Sequence, residues 1–492
     1  MNQWATHVDG DANLAEGGTL PGAWTARWRA EPERVALTTL DGVALRAAEL
    51  EERTRAAADR YAGAGLTPGD RLLLCTATSL DMVIAYIGAL RAGLTVVPAN
   101  PAYPASQLVE LAKAAGPRLA VLDHALAGTT ALDLPSVAPD LAALPAGTAE
   151  LDNAEPDDTG LIIYTSGTTG RPKGVPLTHA NLLASAHAVR LAWRWTPEDS
   201  LALSLPLFHM HGLGVGLHGT LVAGASAILI PRFEPSAVAA AIGAGASMFF
   251  GVPTMYHRLA ESGTLAALSR LRLAVSGSAP LPPDLFQAVR EASGQWVLER
   301  YGMTETVMLS SNPYEGERRA GTVGFPLPGV GLRLAPREGG TAEIEVNGAN
   351  IVRGYLENPG ATAEAFTADG WFRTGDLGEV DEAGYLRISG RAKELIITGG
   401  YNVYPREVEE MLRAHPGVAD AAVVGLPSPV WGETVAAFVV PGDAVDGAAL
   451  LAALEQWAEQ HLVAYKRPRT WRLIEAVPRN ALGKVQRQEL VA

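Results

Sequence analysis

One run of the chain concentrates the donors that a bound anion needs. Tyr164-Thr165-Ser166-Gly167-Thr168-Thr169-Gly170-Arg171-Pro172-Lys173-Gly174 follows the apolar Leu161-Ile162-Ile163, so it leaves the end of a strand. Its glycines let backbone N–H groups turn toward an anion. The hydroxyls of Thr165, Ser166, Thr168 and Thr169 add donors, and Lys173 adds a charge. This is the composition of a polyphosphate cradle. The Gly-Lys-Ser/Thr ending of a Walker loop is missing, so the helix-start geometry of that motif need not hold. The plain alternative, a flexible surface loop, does not account for so many donors in one run.

The run resembles the phosphate loop of the acyl-adenylate-forming superfamily, which holds acyl-CoA synthetases, adenylation domains and beetle luciferase. Further stretches resemble that superfamily's other motifs, in its order. Tyr301-Gly302-Met303-Thr304-Glu305 is similar to the adenine and magnesium motif, and Trp371-Phe372-Arg373-Thr374-Gly375-Asp376 to the ribose motif. Gly390-Arg391-Ala392-Lys393-Glu394-Leu395-Ile396 is similar to the hinge, and Pro478-Arg479-Asn480-Ala481-Leu482-Gly483-Lys484 to the terminal motif with the catalytic lysine. The resemblance spans nearly the whole chain. It implies ATP, Mg²⁺ and CoA as reactants and cofactors, and a carboxylic acid activated as acyl-AMP.

Each residue has chemistry of its own to match. Mg²⁺ takes few protein ligands and shares phosphate oxygens, and Glu305 supplies one carboxylate. Tyr301 can lie flat on a purine, with Thr304 beside it in the motif. Asp376 can accept from both ribose hydroxyls, supported by Arg391. Ser276-Gly277-Ser278-Ala279-Pro280 follows a strand and can close over adenine with backbone groups. Lys484 can place its ammonium between an attacking carboxylate and the α-phosphate, where negative charge develops. Taken singly, each charged residue reads as a solvated surface group; the motif context reverses that reading. The resemblance also implies that rotation about Lys393 withdraws Lys484 and brings Gly399-Gly400-Tyr401 in to line a thiol tunnel. Lys484 sits in the context in which some acyl-CoA synthetases are acetylated, so a lysine acetyltransferase is a candidate partner.

The acyl substrate is read from Arg300, the residue before the motif tyrosine. Its guanidinium suits a second carboxylate held bidentately rather than a hydrocarbon tail. The plain alternative is a structural ion pair with Glu299. The blocks Leu205 to Leu213, Phe250 to Arg258 and Leu273 to Ala279 resemble malonyl-CoA synthetases. That resemblance places His209, Met210, Gly277, Ser278 and Met303 with Arg300 around the acyl group, and gives His209 a catalytic role. Met210 stands where relatives have a smaller residue, which puts methylmalonate in doubt. Rival readings are a ligase for another short dicarboxylate, a fatty acid or an aryl acid, and a free-standing adenylation domain that loads a carrier protein.

These residues need a scaffold. At 492 residues the chain is too long for one compact core. Apolar runs alternate with helical patterns: strands at Arg71–Cys75, Thr95–Pro98, Leu119–Leu122, Ala202–Leu205, Ala227–Ile230, Met248–Gly251 and Leu273–Ser276 are separated by segments such as the Leu80–Ala92 helix. The rhythm predicts an α/β fold of layered sheets in a large N-terminal domain. A small β-rich unit starts near Thr322, and a small mobile α+β domain closes the chain. The division falls at 1–390 and 391–492, with the hinge at Lys393. Gly214-Val215-Gly216-Leu217-His218-Gly219 matches a dinucleotide fingerprint in form only, for no clear strand ends at Gly214. His209, His211 and His218 lack the partners of a zinc site. The net charge of −14 argues against nucleic acid. The single cysteine, Cys75, excludes an internal disulfide. No stretch offers about 20 apolar residues to span a membrane, and no secretory pattern opens the chain, so a cytoplasmic location is expected.

Overall fold

The computed structural model describes residues 14, 18–123, 126, 132–165, 173–337, 341–442, 447–480 and 483–491. Two large sheets carry most of the chain before residue 327. In the first, strands run in the order 136–137, 119–122, 71–75, 95–98, 159–165, 173–178. All neighbours there are parallel except the last pair, an antiparallel hairpin. In the second, strands 298–301, 273–276, 248–251, 200–203, 226–229 and 35–39 are parallel throughout, with short antiparallel strands at both edges. Central strands such as Leu72-Leu73-Leu74-Cys75 are fully buried, as parallel strands covered on both faces must be.

Two of the helices start where side chains satisfy their free N–H groups. Ser79 Oγ accepts from the Met82 N–H at 3.0 Å to open Leu80–Arg91. Thr178 and Asn181 exchange hydrogen bonds at the start of His179–Ala192. The Asn181 amide also donates to the Ala349 and Ile351 carbonyls, which ties that helix to the next layer. That layer is an antiparallel meander of Val330–Pro336, Ala342–Gly348, Phe372–Val380 and Leu386–Arg391. The next sheet opens at Ile396 and combines Ile396–Thr398, Tyr401–Val403, Val418–Ser428, Gly432–Pro441 and Thr470–Leu473 with the helices Pro405–Arg413 and Gly447–His461. Residues such as Ile396, Val408, Leu412, Val423, Val439 and Leu454 form a buried cluster of its own there. Among the described residues, no helix is long and apolar enough to cross a membrane.

One strand expectation needs correction by two residues. The strand expected at Ala202–Leu205 lies at Ser200–Leu203, because its register is set by Ser226–Leu229 and the Ser247 hydroxyl holds the Ser200 N–H. After it, His211–Leu217 is a π-helix that runs into the α-helix His218–Ala223. Its glycines are there for packing. A Cβ on Gly212 would lie 2.3 Å from the Pro206 carbonyl oxygen, and one on Gly219 would lie 2.4 Å from the Trp195 ring.

Candidate active site

The hairpin Thr159–Thr165 and Lys173–Thr178 brings Thr165 opposite Lys173 in register. Ser166, Gly167, Thr168 and Thr169, named from the sequence as phosphate-binding, lie outside the described residues. Lys173 Nζ sits 4.8 Å from the centroid of the Tyr355 ring. The hydroxyl of that tyrosine donates to Glu305 Oε1 at 3.0 Å. The phosphate-loop lysine and the motif carboxylate therefore meet across one aromatic ring. Glu305 is 7 % exposed. A lone buried carboxylate with one oxygen held by a neutral donor fits Mg²⁺, which keeps waters and phosphate oxygens as its other ligands. Glu305 would hold that ion, and the ion would neutralise charge on the phosphates. Among the described residues, no group of three His, Cys, Asp or Glu side chains could hold a metal.

Asp376 and Arg391 face each other on neighbouring strands of the meander, and their side chains form a 2.8 Å ion pair. The Tyr301 hydroxyl donates to the second oxygen of Asp376. Three residues separated by up to 90 positions thus form one preassembled group. Burial raises the Asp376 pKa, against the pull of Arg391 and Tyr301. Lys484 lies in the same field. Desolvation first and Arg391 second push its pKa below the ordinary lysine value, while Glu394 and Asp376 oppose them. Its loop is closed by Asn480, whose N–H donates to the Lys484 carbonyl and whose Oδ1 accepts the Lys484 N–H. At Gly483 the backbone is left-handed, with φ of 77°, and a Cβ would lie 2.9 Å from Thr254. The C-terminal loop is therefore seated against the helix Pro253–Glu261.

On the strand Leu298–Tyr301 successive side chains alternate in direction, so Arg300 leaves Tyr301 on the opposite side. It crosses Gly277, where a Cβ would lie 2.3 Å from Arg300 Nε. Arg300 is 5 % exposed, and among the described residues its Nε and Nη2 have no hydrogen-bond partner. Burial lowers its pKa to about 9. Glu299 is not its partner: Oε1 of that residue accepts from the Leu281 N–H, Oε2 is unpartnered, and burial raises its pKa to about 7. Among the described residues Arg300 forms no ion pair with Glu299 or with another local acid.

Two histidines flank the arginine. Burial and then Arg300 lower His209 to about 4. The same causes, with His209 third, push His211 well below the usual range. His211 Nδ1 is 3.2 Å from Ser278 Oγ, and its Nε2 is buried without a partner. Ser278 has φ of +69°, a strained conformation for serine that is typical of functional turns. Ala279 follows it in the same turn. Met210 lays its methyl over Gly214, 2.2 Å from where a Cβ would stand. Met303 packs against the large core, and Thr304 lies in the turn before Glu305. His218 faces elsewhere, bonded to Tyr86 at 2.7 Å.

Gly399 and Gly400 are both left-handed, with φ of 58° and 82°, at the tip of a hairpin apart from the Lys484 loop. Tyr401 is 58 % exposed beside them and stacks on Tyr465. Lys393 stands in the turn that joins the meander to the final sheet. Sequence reasoning missed Tyr355 and gave no role to His211. Tyr355 is a single aromatic in the loop Arg353-Gly354-Tyr355 with no periodic signal around it.

Comparison with known proteins agrees with this layout. A family model described as AMP-binding enzyme matches residues 24–356, and one described as AMP-binding enzyme C-terminal domain matches 407–484. A sulfoacetate–CoA ligase of Cupriavidus necator is 39 % identical over 458 residues, 88 % of this chain and 89 % of its own length. The crystal structure of ATP-bound MatB from Rhodopseudomonas palustris superposes with a TM-score of 0.88 at 37 % identity, covering 96 % of this chain and 98 % of that one. A malonyl-CoA ligase in a ternary product complex with methylmalonyl-CoA and AMP gives only 0.66 at 40 % identity, covering 95 % and 99 %. The chain belongs to the AMP-binding enzymes, the acyl-adenylate-forming superfamily that includes these CoA ligases.

Proposed function

We propose that this chain is a malonate–CoA ligase that makes malonyl-CoA, AMP and pyrophosphate from malonate, ATP and CoA. The observation that carries the reading is Arg300, a buried cation whose Nε and Nη2 face no protein partner. Leaving such a group unpaired costs free energy unless a ligand completes it. A distal carboxylate does so with charge-assisted hydrogen bonds.

In the first half-reaction a malonate carboxylate oxygen attacks the α-phosphorus of ATP, and the bond to the pyrophosphate oxygen breaks. Arg300 holds the distal carboxylate. Thr165 and Lys173 hold the phosphates, together with Ser166, Gly167, Thr168 and Thr169. Asp376 and Arg391 hold the ribose, and Tyr301 with the Ser278-Ala279 turn holds the adenine. Glu305 would hold Mg²⁺, which would neutralise phosphate charge, and Lys484 places its ammonium on the charge that develops at the α-phosphate. The neutral His209 and His211 keep the acyl end dry without adding a second charge. In the second half-reaction the small domain turns about Lys393, Gly399-Gly400-Tyr401 line the thiol's path, and the CoA sulfur attacks the acyl carbon to release AMP. The lower superposition score of the more identical product complex supports a rearrangement of this kind.

A second reading is favoured by one more observation. His211 Nε2 is a third buried, unpartnered atom beside the two of Arg300. If it donates, three donors match the three oxygens of a sulfonate, the distal group of the sulfoacetate that names one relative. Both readings demand an anion one methylene from the reacting carboxylate. Pyrophosphate release across malonate, sulfoacetate, methylmalonate, oxalate, acetate, octanoate and ferulate decides between them. A preference for acetate, octanoate or ferulate overturns both. Transfer to a carrier-bound phosphopantetheine in preference to free CoA would instead identify a free-standing adenylation domain.

A further inference from the structure

Tyr355 joins the two groups that the nucleotide reading assigns to the phosphates and to their metal ion. Its ring lies under the Lys173 ammonium at 4.8 Å, and its hydroxyl donates to Glu305 Oε1 at 3.0 Å. The surrounding segment is tied down at both ends. The Val352 N–H donates to the Glu305 carbonyl at 3.0 Å, and the Leu356 N–H to the Gly174 carbonyl at 2.9 Å. The Tyr355 N–H is itself held by Thr362 Oγ1 at 2.9 Å. A phenol hydroxyl is a donor that a carboxylate oxygen accepts from, and the 3.0 Å contact has that geometry.

We infer that Tyr355 is a positioning residue: its hydroxyl fixes the Glu305 carboxylate so that one oxygen is left for the metal ion, and its ring face sets the height of the Lys173 ammonium against the phosphates. This rests on the reading of Lys173 and Glu305 as phosphate and metal groups. A carboxylate with one oxygen already bonded offers the other in a single orientation. An ammonium over a ring face keeps its charge while its stem is fixed. The backbone bonds at residues 174 and 305 make the two placements mutually dependent.

The test separates hydroxyl from ring. Tyr355→Phe keeps the ring and loses the donor; Tyr355→Leu loses both; Glu305→Gln is the control. Binding of Mn²⁺ in the presence of a non-hydrolysable ATP analogue is followed by electron paramagnetic resonance, and binding of the analogue alone in EDTA by calorimetry. Tyr355→Phe is expected to weaken Mn²⁺ by about tenfold, the scale of one hydrogen bond to a charged group, with metal-free nucleotide binding unchanged. Tyr355→Leu should weaken both, metal-free binding by roughly threefold. A Tyr355→Phe protein that binds Mn²⁺ as well as the native chain, or more tightly, overturns the inference for the hydroxyl. A folded Tyr355→Leu protein with native metal-free nucleotide affinity overturns it for the ring. If Leu does not fold, by its melting curve, the Phe result decides alone. A Glu305→Gln protein that still binds Mn²⁺ normally would remove the nucleotide-site reading itself.

Discussion

In the proposed reading, the nucleotide end and the acyl end of the site use buried charge in opposite ways. Asp376 is buried but complete, with Arg391 at 2.8 Å and the Tyr301 hydroxyl on its other oxygen. Arg300 is buried one residue before Tyr301 and has Nε and Nη2 unpartnered. The first arrangement serves a constant reactant: a ribose can be recognised by a group whose orientation is already fixed. The second leaves the decisive partner to the substrate. Selectivity is therefore concentrated where the protein is electrostatically unfinished, and the fold bears a cost there that ligand binding offsets.

The largest effect should come from a third position, which belongs to one half-reaction only. Lys484→Ala should lower adenylation by about two to three decades while supplied malonyl-AMP and CoA still react; Gly400→Leu should do the reverse. Pyrophosphate release and thioester formation, measured separately, give the answer. Equal loss of both steps in both variants would leave the proposed rotation without support.

Next comes the contrast itself. Arg300→Met removes a lone buried cation, so malonate kcat/KM should fall by roughly 30-fold or more, since truncating such a partner costs about 2–5 kcal/mol. Its melting temperature should hold or rise, because no protein group is orphaned. Asp376→Ala should lose both nucleotide use and stability, since Arg391 and Tyr301 lose their partner. The comparison breaks if Arg300→Met melts lower than Asp376→Ala.

A smaller effect sharpens the picture on the same strand. Burial pushes the Glu299 carboxyl up to about 7, above its ordinary value of 4.5. Between those values the native state binds more protons than the unfolded one, so stability declines as pH rises through that window. Glu299→Gln should remove the decline and melt higher than the native chain at pH 8, with the difference shrinking toward pH 5. His209, lowered to about 4, has the opposite sign: its contribution is lost as pH falls from about 6.5 toward 4. Both proteins retain His209, so their difference isolates Glu299. A constant difference across the range would mean that Glu299 is ionised normally.

The smallest expected change is at Met210. Replacing it with glycine frees the space over Gly214, and the ratio of methylmalonate to malonate turnover should rise by about tenfold, the low end of what one methyl group decides in a pocket. An unchanged ratio would place Met210 outside the substrate's reach.

Much of the scaffold was legible because parallel strands buried on both faces leave uninterrupted apolar runs. Arg71–Cys75, Thr95–Pro98, Leu119–Leu122, Met248–Gly251 and Leu273–Ser276 match residue for residue. Ser200–Leu203 was displaced by two residues, since register belongs to the neighbouring strands rather than to the run itself. The π-helix at His211–Leu217 has no composition of its own and reads as a glycine pattern. Arg300 was recognisable as a candidate, but its lack of a partner depends on Glu299 turning to Leu281, which only tertiary structure decides. Tyr355 acts through two residues 182 and 50 positions away, and such a junction leaves no local trace.

The close approach of Arg300 to Gly277 also bears on how this pocket can change over generations or in a library. With a Cβ at 277 standing 2.3 Å from Arg300 Nε, a side chain there collides with the guanidinium for as long as the arginine keeps its pose. The two positions are epistatic, and the order of substitution matters. A lineage that moves toward uncharged acids must shorten Arg300 first, after which position 277 becomes free to vary and to reshape the pocket floor. The reverse order passes through a clashing intermediate. Saturation of position 277 alone should yield almost only glycine among active clones, whereas paired randomisation of 277 and 300 opens routes that neither position offers by itself.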